Sequence, residues 1–223
     1  MTPPVVLLHG IATTASIWDR VIAALGELGL RDVTAIRRPC TGSLSAELRA
    51  LEPQVEGALV VGQSGGATLA LALAASRTEL AGAVAHEPAV GSLLPELLTP
   101  VARAYAEHGV EGLGATLYGP TWSAAMAHDH TVIPGELAMF RSFEPSRARA
   151  GQGPVLVTVG AASPPIRHDA ASALHDRLGY EIEPLTGASH FVAWDAPEVF
   201  AAAIAAHAQN CRSESPAFRA GRR

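Results

Sequence analysis

The sequence predicts an α/β protein: a mostly parallel sheet of about six strands with helices on both faces and a helical cap inserted after the fourth strand. Three observations carry this expectation. Short apolar runs of β-type residues alternate with longer stretches of helical composition, as in βαβ units whose crossovers cover both faces of a sheet. The alternation breaks once, between residues 89 and 153, where helical patches occur without a convincing strand. At 223 residues, 48% hydrophobic and 17% charged, the chain is long enough for one sizeable core with an insertion but short for two full domains.

The elements follow in order. A first strand is expected at residues 5–9, where Val-Val-Leu-Leu-His reads as a buried run. Apolar periodicity predicts a helix over 16–28, and a second strand follows at 33–37. The third strand, 58–63, leads into an Ala- and Leu-rich helix over 67–76, and the fourth spans 81–86. Helical patches at 93–108 and 135–143 belong to the insertion. A strand at 155–160, a helix over 168–178, a strand at 180–184 and a helix over 197–207 complete the pattern. The expected organisation is therefore a core of residues 1–88 and 154–209, a cap of residues 89–153, and a polar, Arg-rich tail of residues 210–223 without apolar periodicity, expected to be disordered.

Composition narrows the function. A net charge of −5 offers no basic field for phosphate backbones, so nucleic acid is not an expected partner. All 16 basic residues are Arg. Schiff-base chemistry, pyridoxal phosphate attachment and a P-loop lysine are excluded with the absent Lys. No apolar run approaches membrane-spanning length, and Met1-Thr2-Pro3-Pro4 offers no basic leader, so the expected location is the cytoplasm with no membrane partner. Cys40 and Cys211 have neither metal-type spacing nor a disulfide-rich context. His128-Asp129-His130 looks ligand-like, but His-x-His without further placed ligands reads as solvated polarity. Neither metal nor cofactor is expected. Homodimerisation is left open.

The chemistry-bearing motif is Gly62-Gln63-Ser64-Gly65-Gly66, between a buried strand and an apolar helix. That context suits a tight strand-to-helix turn presenting a serine hydroxyl: side chains at Gly62 or Gly66 would strike neighbouring backbone, and the helix N-terminus directs partial positive charge at an oxyanion beside Ser64. At the end of the first strand, Leu8-His9-Gly10-Ile11 lets the backbone pass close to a ligand, so that the Ile11 and Gly65 N–H groups can form an oxyanion hole. Among nine histidines, His190 in Gly187-Ala188-Ser189-His190-Phe191 has the best context, on a loop directly after the last strand.

These three segments, with Val6-Leu7-Leu8-His9-Gly10 first, Gly62-Gln63-Ser64-Gly65-Gly66 second and Gly187-Ala188-Ser189-His190-Phe191 last, resemble the α/β-hydrolase superfamily over about residues 5–207. The resemblance implies an α/β-hydrolase fold in a minimal version that starts at the family's third strand. It also implies Ser64 as nucleophile, His190 as base, and Ile11 and Gly65 as oxyanion donors. The family's usual acid position falls on Ala161-Ala162-Ser163-Pro164, where no carboxylate stands. Glu87, Asp169 and Asp195 remain as candidates. Glu87 is favoured because it ends the strand beside the nucleophile's, as in certain dehalogenases and zearalenone-opening lactonases of the family. Asp169 and Asp195 are explained as helix-start residues.

The resemblance thus implies hydrolysis of a small-molecule carboxylic ester or lactone. The alternatives are a cofactor-free lyase using the same Ser and His, or a non-catalytic ligand-binding relative. The cap's Leu97, Tyr105, Leu117, Tyr118, Trp122, Met126 and Phe140 are candidates to shape the pocket, with Trp122 the foremost substrate contact. Arg37-Arg38 reads as a solvated loop at the rim.

Overall fold

The computed structural model describes residues 2–127 and 129–213. Six strands, β1 Val5–Leu8, β2 Val33–Ile36, β3 Leu59–Gln63, β4 Gly82–His86, β5 Val155–Gly160 and β6 Glu181–Leu185, form one sheet in the order β2-β1-β3-β4-β5-β6. Every neighbouring pair is parallel. The order reverses direction after β2: the chain winds one way from β1 to β2, then the other way from β3 to β6. Ligand crevices open beyond the carboxyl ends of strands at such a point.

The central strands are apolar on both faces because both are covered. β1, β3 and β4 are buried along their whole length. On one face α1 (Asp19–Glu27) packs against α8 (Pro197–Ser213). On the other lie α2 (Leu44–Val55), α3 (Gly65–Ala75) and α6 (Pro165–Leu178), where Ala67 and Leu71 share a cluster with Ala170 and Leu174. Neighbouring residues of β4 divide accordingly, Val84 joining one cluster and Ala85 the other, as the period of two in a strand requires. α3 is buried over ten of its eleven residues, which explains why its apolar residues surround it instead of forming a stripe.

Between β4 and β5 the described residues form no strand: short 3-10 turns flank α4 (Thr99–Tyr118) and α5 (Ile133–Arg141). α4 is broken at Gly109, whose φ of 64° and ψ of −147° leave the helical region. α7 (Val192–Asp195) is a single turn before α8.

Two features differ from the sequence expectation. α2 was not expected, since Pro53 stands inside it and Pro39, Gly42 and Ser43 crowd its approach; its signal is the spacing of Leu44, Leu48, Leu51 and Val55, the last two fully buried. α8 continues through Ser213, past the expected tail boundary at Asn210. Residues 214–223 of that tail lie outside the described residues.

Candidate active site

Ser64 stands between β3 and α3 at φ 56° and ψ −121°. Only four described non-glycine residues have positive φ, namely Ala12, Cys40, Ser64 and Glu87. All four follow a strand's carboxyl end, so backbone strain, at roughly 1 kcal/mol or more per residue, is concentrated along one edge of the sheet. The turn at Ser64 closes only because its glycines lack a Cβ: one on Gly62 would lie 2.2 Å from the Gly66 carbonyl carbon, and one on Gly66 would lie 1.9 Å from the Leu8 carbonyl oxygen. The Ser64 N–H donates to the His86 carbonyl at 2.9 Å. Thr68, one turn into α3, accepts the Ala89 N–H at 2.9 Å, which ties the segment after β4 to the serine turn.

That segment begins with Glu87, buried and held at φ 47°. Its carboxylate is surrounded by donors. Oε2 accepts from His190 Nδ1 at 2.8 Å; Oε1 accepts from the Gly160 N–H at 2.8 Å and from the Ser163 hydroxyl at 2.5 Å. Ser163, which stands where the resemblance leads one to expect a carboxylate, hydrogen-bonds the carboxylate that reaches in from the neighbouring strand. Burial pushes the Glu87 carboxyl up, but the hydrogen bond and charge of His190, with His86 and Arg167, outweigh it and hold the group well below the usual range. His190 goes the other way. Burial and the positive charge of Arg167 lower it to about 4 against the opposing pull of Glu87, so at neutral pH a neutral imidazole donates Nδ1–H to a carboxylate. Its Nε2 is buried with no hydrogen-bond partner among the described residues.

The cap closes over this edge. Tyr118, the last residue of α4, stacks on the His190 ring at 5.6 Å between centroids and 14° between planes. Its hydroxyl donates to the Ile11 carbonyl at 2.6 Å. Burial raises the Tyr118 phenol, and a hydrogen bond with the Ser64 side chain opposes the rise. One cap residue therefore touches the serine, the histidine and the loop after β1. The amides of Ile11 and Gly65 border the same space, since a Cβ on Gly65 would lie 3.3 Å from Ile11 N.

Ile11, Ser64 and Gly65 line a constricted cavity with Ala89, Leu98, Val101, Leu117, Leu137, Phe140 and Arg167. A larger, more polar cleft on the far side of the loop after β1, lined by residues including Thr13, Arg38, Cys40 and Glu136, contains none of Ser64, Glu87 and His190.

Other expected residues take different places. Trp122, expected to contact substrate, is instead buried against the core; its indole N–H donates to the Ala12 carbonyl at 2.9 Å, and it does not line the cavity at Ser64. Leu117 and Phe140 do line that cavity, whereas Leu97, Tyr105 and Met126 do not. Asp169 and Asp195 are exposed, and the His190 nitrogen either would need is occupied by Glu87. Arg38 is not solvated: it is fully buried between Glu47 at 3.3 Å and Glu136 of α5 at 2.5 Å, and its chain neighbour Arg37 is exposed. His128 lies outside the described residues, and Asp129 accepts from the Thr131 N–H at 2.8 Å. No cluster able to hold a metal occurs among the described residues.

Sequence reasoning passed over Arg167. Placed behind Pro164-Pro165, it reads as an ordinary helix-start cation, yet it is buried beside Glu87 and the serine cavity. No local pattern distinguishes a helix-start arginine facing solvent from one facing a site.

Comparison with known proteins adds the wider context. A family model described as "Alpha/beta hydrolase family" matches residues 5–203. No curated protein matches the chain. Solved structures with a similar fold include the enol-lactonase of Burkholderia xenovorans LB400, at 19% identity over 94% of this chain and 92% of that one with a TM-score of 0.67. A pyrethroid hydrolase of Sphingobium faniae JZ-2 aligns at 18% identity over 97% and 99% with a TM-score of 0.68. The haloalkane dehalogenase DbeA of Bradyrhizobium elkani USDA94 aligns at 18% identity over 96% and 92%, also with a TM-score of 0.68.

Proposed function

Since the chain belongs to the alpha/beta hydrolase family, we propose that it is a serine hydrolase that cleaves a carboxylic ester or lactone through an acyl-enzyme, with Ser64 as nucleophile, His190 as general base and Glu87 as the acid that orients it. The observation that carries this reading is the 2.8 Å contact from His190 Nδ1 to Glu87, which leaves the buried Nε2 without a protein partner behind a strained serine turn.

In this mechanism His190 Nε2 takes the Ser64 proton as Oγ attacks the carbonyl carbon. The resulting oxyanion is held by the Ile11 and Gly65 N–H groups at the positive end of α3. The C–O bond to the leaving alcohol breaks as His190 returns the proton to that oxygen. A water, deprotonated by His190, then attacks the acyl carbon and releases Ser64 with the acid product. Glu87 remains ionised throughout and stabilises the imidazolium that forms at each step.

The narrow cavity favours a short acyl group. An enol-lactonase and a pyrethroid hydrolase among the similar structures direct the test toward lactones and esters. A screen of both classes in rising size, with Ser64→Ala as blank, is expected to find Ser64-dependent hydrolysis and an acyl-protein mass adduct in a rapid quench. Turnover without any adduct would favour a lyase, and identical rates for wild type and Ser64→Ala would overturn the assignment.

A further inference from the structure

A second buried cation borders the cavity at Ser64. Arg167 sits in the first turns of α6, 9% exposed, and lines the cavity together with Ser64, Gly65 and Ile11. A guanidinium carries five N–H donors and cannot shed its charge. Among the described residues its only polar contact is Nε to Glu87 Oε2 at 3.6 Å, too long for a hydrogen bond. Glu87 is in any case engaged by His190, Gly160 and Ser163. The remaining walls of the cavity are apolar, with Ala89, Leu98, Leu117 and Phe140 among them. A largely buried cation whose side chain has no hydrogen-bonded acceptor among the described residues, at the edge of a constricted, mostly apolar cavity that also holds a reactive hydroxyl, matches a ligand with three parts: an anion, a short hydrocarbon and a carbonyl.

We propose that Arg167 is a specificity-determining residue that binds a carboxylate of the substrate, so that the preferred substrates are esters or lactones carrying a free carboxylate a few carbons from the carbonyl attacked by Ser64. The assignment rests on the hydrolase reading and narrows its substrate class. The electrostatics agree: Arg167 is one of the charges that depress His190, and a bound carboxylate neutralises that effect, bringing the base nearer the working pH, where proton transfer is most effective.

The test compares two six-carbon acyl esters, 4-nitrophenyl hydrogen adipate and 4-nitrophenyl hexanoate. The wild type is expected to favour the charged ester by about tenfold or more in kcat/KM, Arg167→Met to lower that ratio by about 30- to 100-fold, and Arg167→Lys to restore part of it. Using the ratio cancels any disturbance of Glu87 that slows both esters alike. Wild-type preference for the hexanoate, or an equal loss on both esters in Arg167→Met, would overturn the proposal while leaving Ser64-dependent hydrolysis intact. If Arg167→Met does not fold, the wild-type preference and the Arg167→Lys ratio decide the matter.

Binding separates this proposal from the hydrolase reading. Calorimetry with the Ser64→Ala protein is expected to show monomethyl adipate binding at least tenfold more tightly than methyl hexanoate, an advantage lost on adding Arg167→Met. That result sustains the anion site even if neither ester turns over and the hydrolase reading fails. Equal binding of the two ligands overturns the site, whatever the fate of hydrolysis.

Discussion

Two arginines are buried at the same end of the sheet, and their surroundings are opposite. Arg38 lies between Glu47 and Glu136 and also reaches the Gly10 carbonyl at 3.4 Å. Glu47 in turn accepts the Thr41 N–H at 2.6 Å. That cluster pairs both terminal nitrogens of the guanidinium and leaves only Nε without a partner among the described residues, and it joins the core to the cap helix α5 and to the loop after β1. Arg167 has one carboxylate at ion-pair distance and no hydrogen-bonded acceptor for its side chain among the described residues. A charge paired with two carboxylates fixes structure, whereas a charge without a hydrogen-bonded acceptor is available to a ligand. The same contrast separates Trp122, whose N–H is used to pin the cap to Ala12, from His190, whose Nε2 is left unused.

If the Glu87 cluster does chemistry and the Arg38 cluster does not, substitutions in the two should fail differently. The largest effect is expected from His190→Ala, which should lower kcat by roughly 10⁴- to 10⁶-fold with little change in melting temperature. Glu87→Gln should cost somewhat less, and both are read by steady-state kinetics against a calorimetric scan. Comparable kcat losses from Arg38 variants with unchanged Tm would erase the distinction.

Next in size is Glu136→Ala, which leaves Arg38 with Glu47 as its one carboxylate partner among the described residues and should destabilise the fold by about 3 kcal/mol or more, seen in urea unfolding. Burial already lifts the Glu136 carboxyl above its ordinary value despite Arg38, so Glu136→Gln, which keeps the volume and a hydrogen-bonding head, should be milder. A negligible loss in both would show that the cap is held by its apolar contacts alone.

Acid should act on both clusters. His9, beside Arg38, is lowered to about 3 chiefly by burial; His86 and His190, beside Glu87, are lowered mainly by burial as well. In the unfolded chain each titrates near 6.5, so below that pH the unfolded state binds more protons and stability falls as pH falls. Between pH 6.5 and 5.5 the expected loss is about 1 kcal/mol per histidine, about 3 kcal/mol in all. His9→Gln should remove about a third of that slope, and an unchanged slope would mean that His9 is already protonated in the fold.

The smallest effect is expected for Ser163→Ala. It removes one donor from Glu87 Oε1 while Gly160 and His190 keep theirs, so kcat should fall about tenfold. A loss equal to that of Glu87→Gln would mean that Ser163 orients the carboxylate by itself.

Much of this was legible in one dimension. The strands, their alternation with helices and the turn at Ser64 are local features, set by apolar runs, by residue volumes around Gly62 and Gly66, and by the three or four residues on either side. Hence six strands were expected where six occur among the described residues, with no end displaced by more than one residue. The helix at Leu44–Val55 escaped because Pro53 and its loop-like approach masked a regular leucine spacing.

The sequence by itself determined the alternating α/β architecture, the helical insertion after β4 and the tight turn that presents the Ser64 hydroxyl, because each is dictated by near neighbours along the chain. Only the tertiary structure decided which carboxylate meets His190, that the Ser163 hydroxyl donates to that carboxylate, that the Trp122 N–H is used on the Ala12 carbonyl, and which carboxylates meet each of the two buried arginines. The contacts around Glu87 depend on the register of β4, β5 and β6, and those of Trp122 and Arg38 on how the cap meets the loops after β1 and β2, so that side chains from distant segments come within hydrogen-bonding distance. Contacts of that kind leave no periodicity along the chain from which to read them.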